Sequence, residues 1–114
     1  MTNTKLIEDL IEGYANSKDS SFLIPNSTRD FLAVRPSGNP ISAKGLVEMF
    51  NSKDLVAESS VLVKTHKIEI FGDIAYAVFT LNEIFCYQGN QNKDLSTYTC
   101  IFKKENGIWK YSWM

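Results

Sequence analysis

His66 is the only histidine in the chain, and it falls in a stretch whose residues alternate with a period of two from Val61 onward. Counted along that alternation it shares a face with Leu62, Lys64, Ile68 and Ile70, which predicts an inward imidazole beside Phe79. A neutral imidazole there is suited to general-base work, with Glu83 or Tyr98 in reach across a pocket. The competing reading is a partly buried histidine whose ring nitrogens are met by backbone or water. Glu83 falls on the same side as Leu81 and Phe85. A carboxylate in that company needs a partner such as Lys64, His66 or Arg35, or else a raised pKa; if the strand has already left the core, it is simply solvated.

Arg35 stands at the end of a short alternating segment, directly before Pro36-Ser37-Gly38-Asn39-Pro40. A forked guanidinium beside a rigid Pro-Gly loop fits a carboxylate or phosphate on a small ligand, and Ser37, Gly38 and Asn39 add donors at the same corner. An ion pair with Asp30 or a neighbouring Glu is the alternative. Trp109, Tyr111 and Trp113 offer flat surfaces; Trp109 is read as core, Trp113 as lining a pocket, and Tyr111 is left open. One His and one inward Cys do not make the clustered ligand spacing of a zinc site, so no metal is expected. Neither a Gly-Lys-Ser phosphate loop nor a dinucleotide glycine motif is present, and no cofactor is expected.

These side chains must be positioned by elements legible in the pattern. Leu6, Ile7, Leu10, Ile11 and Tyr14 recur at helical spacing, with Lys5, Glu8, Asp9 and Glu12 on the other side and Gly13 weakening the end. Asp19 to Asn26 reads as turn, and Arg29 to Arg35 as a short strand stopped by Pro36. Ser42 is placed to cap a second helix running to about Asn51, with Ile41 and Leu46 as a staple and Leu46, Val47 and Phe50 as its apolar stripe.

Gly72-Asp73 joins Val61–Phe71 to Ile74–Tyr87, with glycine first as a type II′ turn requires. Counting outward pairs Ile70 with Ala75, Ile68 with Ala77, His66 with Phe79, Lys64 with Leu81 and Leu62 with Glu83. Gly89-Asn90-Gln91-Asn92 is read as a loop returning the chain into Leu95–Lys104, which puts Phe85 near Ser96 or Tyr98. A last hairpin turns at Asn106-Gly107 and sets Tyr98, Cys100, Phe102, Trp109, Tyr111 and Trp113 on one face, the wall of a core inside a curved sheet. Cys86 and Cys100 fall on opposite faces, against a disulfide.

At 114 residues with 44% hydrophobic composition and a net charge of −1, the chain fits one globular domain over 1–114. Its 12 basic residues are dispersed among 13 acidic ones, so the basic stripe that nucleic acid demands is missing. Acidic residues follow closely on the N-terminus and no apolar run is long enough for a leader or a membrane span, which gives a cytoplasmic expectation and no membrane partner.

The succession of an amphipathic helix, Asp30-Phe31-Leu32-Ala33-Val34-Arg35-Pro36-Ser37-Gly38-Asn39-Pro40, a short helix, and strands ending in Gly107-Ile108-Trp109-Lys110-Tyr111 resembles the nuclear-transport-factor-2-like superfamily over nearly the whole chain. Its nearest flavour is the SnoaL-like and ketosteroid-isomerase-like branch. The resemblance implies an α+β fold: a cone-shaped, strongly bent antiparallel sheet, N-terminal helices on its concave face, a pocket between them, and often a homodimer through the outer sheet face. It implies no single activity. Matched to the isomerase pattern, Arg35 stands where the base-bearing Asp would be, and a guanidinium does not abstract protons at physiological pH. The late strand that supplies an acidic donor holds no Asp or Glu from Leu95 through Lys104. Tyr14 alone remains, as a candidate oxyanion donor on the first helix.

The leading expectation is therefore a small-molecule binding protein whose ligand meets Tyr14, Arg35, His66, Glu83, Tyr98 and Trp113. The alternatives are a cofactor-independent lyase, isomerase or hydrolase with His66 as base, and a dimerisation or adaptor module with a filled core. Val61, Val63, Tyr76, Val78 and Ile84 are the expected homodimer contact.

Overall fold

The computed structural model describes residues 2–35, 39–52 and 54–114; Pro36, Ser37 and Gly38 of the proline-rich loop lie outside the described residues. Helix α1 (Asn3–Ala15) is capped by Thr2, whose side-chain oxygen accepts the Lys5 amide at 3.1 Å, and it buries Ile7, Leu10, Ile11 and Tyr14. The helix continues two residues past Gly13. That glycine is a point of close approach, since a Cβ there would stand 2.2 Å from the Phe22 ring. The segment read as turn contains a short helix, α2 (Leu23–Asn26). It leads into β1 (Ser27–Val34), and a two-residue strand, β2 (Pro40–Ile41), pairs back onto it through Ala33↔Ile41 and Val34↔Pro40. Helix α3 (Ala43–Phe50) starts at Ser42, whose hydroxyl accepts the Gly45 amide at 3.1 Å.

The remaining chain is sheet: β3 (Leu55–Phe71), β4 (Ile74–Tyr87), β5 (Asn90–Glu105) and β6 (Ile108–Trp113). The strand order is β2-β1-β6-β5-β4-β3. β1 runs parallel to β6 while every other neighbour is antiparallel. The sheet is therefore mixed, where a purely antiparallel one was expected, because β1 reaches it after two helices rather than through a hairpin. It is bent and unclosed, with the helices on its concave side. Tyr111 donates its hydroxyl to the Leu10 carbonyl at 2.7 Å and Trp109 its indole N–H to Asn3 Oδ1 at 3.1 Å, holding α1 against β6. Among the described residues no helix is long and apolar enough to cross a membrane.

Backbone angles explain the turns. Gly72 has φ +62° while Asp73 is not in the positive region, as a type II′ turn demands; Asn106 and Gly107 are both positive, at 51° and 80°. A third tight hairpin was not expected. Gln88 and Gly89, at φ 51° and 83°, turn the chain so that Tyr87 pairs with Asn90. The segment read as loop is thus strand, and Phe85 stands opposite Asn92, with Ser96 opposite Leu81 and Tyr98 opposite Phe79.

The main departure lies in β3. It has 17 residues against 14 in β4, and the surplus is taken up where the register shifts between Ala57/Ser59, Leu62/Lys64 and Thr65/Lys67. Each shift adds a residue to one strand and increases its local bend. The expected pairs Ile70↔Ala75 and Ile68↔Ala77 hold, but Thr65 rather than His66 faces Phe79, Lys64 pairs with Thr80 rather than Leu81, and Leu62 meets Leu81 rather than Glu83.

Candidate functional site

Between the bent sheet and helices α1 and α3 lies a cavity of about 540 Å³. Its apolar lining comes from Ala33 and Val34 on β1, Leu46, Met49 and Phe50 on α3, and Phe85 on β4. The mouth follows from the strand lengths. The last rung between β5 and β6 is Ile101↔Trp113, so the earlier part of β5 has β4 on one side and no strand on the other.

Four polar side chains converge on this space. Tyr14 comes from the last turn of α1 and is buried. Tyr98 of β5 stacks on Phe79 at 5.4 Å between ring centroids and meets the Tyr14 ring edge-on at 5.8 Å. Its hydroxyl donates to Glu83 Oε1 at 2.6 Å. Burial pushes the phenols of Tyr14 and Tyr98 well above the ordinary tyrosine range, so both stay protonated and able to donate. Burial likewise raises the Glu83 carboxyl, opposed by the Tyr98 hydrogen bond and reinforced by the negative charge of Asp94. Asp94 is the rung partner of Glu83 on β5 and lines the same cavity. Beside Glu83 and Tyr14 a second, small cleft of about 20 Å³ is bordered by Ser20, Ser59, Ser60 and Lys18.

Arg35, half-buried just past β1, lines the cavity from its other side. Its contacts are long: Nε to the Asn39 carbonyl at 3.4 Å and Nη1 to Met49 Sδ at 3.4 Å. Neither competes with a charged acceptor. Among the described residues the ion pairs are Lys5–Asp9 and Lys67–Glu69, and Arg35 takes part in neither. The expected alternative, a pair with Asp30, is not formed; Asp30 accepts instead from the Thr28 hydroxyl at 2.8 Å.

One expected site residue is placed differently. His66 does not face the cavity. The register shift between Thr65 and Lys67 turns it to the outer face, where Nε2 lies 2.7 Å from Thr80 Oγ1, itself 2.8 Å from Thr97 Oγ1. An extra residue in the strand lets the imidazole leave the apolar face for the exposed outer one, where the Thr80 hydroxyl meets it. Trp113 lines the cavity as expected, but from a shifted register. The β5–β6 ladder shifts at Ile101/Phe102, passing over Ser112, so Trp113 comes opposite Ile101 and stays 40% exposed. The other five members of the expected wall do lie inward, with Cys100, Phe102, Trp109 and Tyr111 buried and Tyr98 half-buried. Asp94 falls between the expected loop through Asn92 and the expected strand from Leu95, so the pattern assigns it no face. Gln88-Gly89 as the turn would have carried the alternation through Asn92, Asp94, Ser96 and Tyr98 on one face.

The comparisons agree with this architecture. A family model described as a protein of unknown function, DUF3804, matches residues 2–114. A crystal structure of an NTF2-like protein of unknown function from Prochlorococcus marinus is 46% identical, superposes with a TM-score of 0.92, and the match covers 99% of this chain and 90% of that one. The chain belongs to the DUF3804 family, with an NTF2-like fold. An NTF2-like protein from Cytophaga hutchinsonii shares that fold at 18% identity, with a TM-score of 0.82 and coverage of 99% and 95%. A putative calcium/calmodulin-dependent kinase II association domain from Exiguobacterium sibiricum does so at 12% identity, with a TM-score of 0.80 and coverage of 99% and 90%. No curated protein matches the chain.

Proposed function

We propose that this chain is a small-molecule binding protein whose cavity holds an amphipathic ligand by an anionic group at Arg35. The observation that carries the reading is a half-buried guanidinium on the wall of a cavity of about 540 Å³, with no carboxylate partner among the described residues. A buried or half-buried charge without a partner is costly, and a ligand anion is the natural compensation. The apolar and aromatic remainder of the wall suits a hydrocarbon or ring body. A cavity of that size also speaks for this reading over an adaptor with a filled core, and the outward His66 removes the base on which the lyase or isomerase alternative depended.

Calorimetric titration with undecanoate tests it. Saturable binding is expected, weakened roughly 10- to 100-fold in Arg35→Ala, the loss of a charge-assisted contact, and partly restored in Arg35→Lys, which keeps the charge but not the fork. Equal binding by wild type and Arg35→Ala would defeat it.

We further propose a homodimer through the convex sheet face. Val61 is 58% and Val63 56% exposed there, with Tyr76, Val78 and Ile84 half-buried beside them. Such a patch favours cover. The association-domain relative of the same fold lends the idea support.

A further inference from the structure

The two walls of the cavity carry opposite charges, and neither is neutralised within the protein. On one wall stands Arg35. On the other, Glu83 and Asp94 occupy a single β4–β5 rung, side by side on the concave face. Among the described residues no Lys, Arg or His comes within ion-pair distance of either carboxylate. Lys18 borders the adjoining small cleft without pairing with Glu83. The Glu83 carboxyl accepts from the Tyr98 hydroxyl at Oε1, and the Ser96 hydroxyl also favours its charged form; neither donor is a cation. β1 and β4 are separated by β6 and β5 in the sheet, so these charges face each other across the cavity rather than along one strand.

We infer that the cavity takes an amphipathic zwitterion, its anionic group on Arg35, its ammonium between Glu83 and Asp94, and an apolar body against Phe50, Phe85 and Met49. This deepens the reading of the cavity as an Arg35-anchored ligand site and rests on it. An ammonium satisfies what the acidic wall lacks, a cation: it donates to the Glu83 carboxylate and neutralises two adjacent negative charges. A ligand with only an acid group would leave that wall uncompensated and desolvate it further. The groups that face Glu83 are Tyr14 from α1, Asp94 and Tyr98 from β5, and Lys18 beside the small cleft. Both phenols stay protonated over the working range, so on the protein's side the coupling of binding to pH comes from Glu83. Affinity for the ammonium rises as pH increases through the Glu83 pKa, and below that point binding expels the Glu83 proton.

The test is calorimetry with ω-amino acids of graded length, aminohexanoic, aminooctanoic and aminoundecanoic acid, set against undecanoic acid and undecylamine as single-charge controls. One chain length is expected to bind about tenfold or more tightly than undecanoic acid, the gain of one charge-assisted contact. That advantage should grow from pH 4 to pH 8, with proton release read from buffers of different ionisation enthalpy at the lower pH. E83Q, which keeps the Tyr98 hydrogen bond, should erase the advantage while leaving undecanoic acid binding intact; D94N, at the rim, should reduce it in part. Undecanoic acid binding through Arg35 with no gain from the amine at any length overturns the zwitterion and leaves the anion site standing. Failure of every probe to bind, or binding of undecylamine unaffected by E83Q, overturns it as well, the former together with the anion site.

Discussion

Glu83 brings an ionisable carboxyl into a half-buried site that offers hydroxyl donors from Tyr98 and Ser96 and, among the described residues, no cation. Its pKa in the folded protein lies above the ordinary value. The folded state therefore binds that proton more tightly than the unfolded chain does. The associated stability is present at low pH and is lost as pH rises through the folded pKa. E83Q carries no such dependence and should melt at a higher temperature than wild type at pH 8, the gap closing toward pH 4. Thermal melts across that range check it; a gap that widens in acid would show Glu83 to be stabilised as the carboxylate. Tyr111 makes the opposite case, a neutral polar group fully buried and satisfied by the Leu10 carbonyl. Tyr111→Phe should cost about 0.5–1.5 kcal/mol in urea unfolding, the net worth of one hydrogen bond, because the Leu10 carbonyl lies within α1 and keeps its helical donor.

Among the elements, α1 and β3 show where local rules yield to packing. On propensity alone Gly13→Ala should stabilise a helix by about 1 kcal/mol. Against Phe22, whose ring would lie 2.2 Å from the new Cβ, the substitution should instead destabilise by about 1–3 kcal/mol, the usual cost of overpacking. Equilibrium unfolding decides the sign. In β3 the extra residue at His66 sets which face everything before it presents. His66→Ala should leave the fold and undecanoate binding almost unchanged, since the side chain is exposed and lies outside the cavity. Deleting His66 should be far more damaging than replacing it, because a one-residue slip turns Leu62 outward. Paired melts of the two variants distinguish a side-chain role from a register role.

At the scale of the whole molecule, the concave face is covered by helices and the convex face carries exposed Val61 and Val63, with Leu95 72% exposed beside Asn82. Light scattering at high micromolar concentration should give the mass of a dimer, and the double substitution Val61→Asp with Val63→Asp should give a monomer with its fold retained. A monomeric wild type at that concentration would remove the proposed interface. Ligand binding in the cavity is expected to survive the double substitution, as none of its lining residues is altered.

The chain's periodicities and turn residues were enough to read α1, α3, the Gly72 and Asn106-Gly107 hairpins, and an inward wall of Cys100, Phe102, Trp109 and Tyr111. Each of these depends on interactions between near neighbours: a cap, a positive φ at glycine or asparagine, side chains two or four residues apart. The pairing of Glu83 with Tyr98 and Asp94, the outward turn of His66 and the position of Trp113 were decided by tertiary structure. They depend on how many residues each strand holds between its turns and where the surplus is taken up. A bulge is a response of one strand to its partner, to the bend of the sheet and to a group such as Thr80 that can receive the displaced side chain. Period-two alternation carries no record of it, so one extra residue was enough to exchange the expected histidine base for a carboxyl and two phenols.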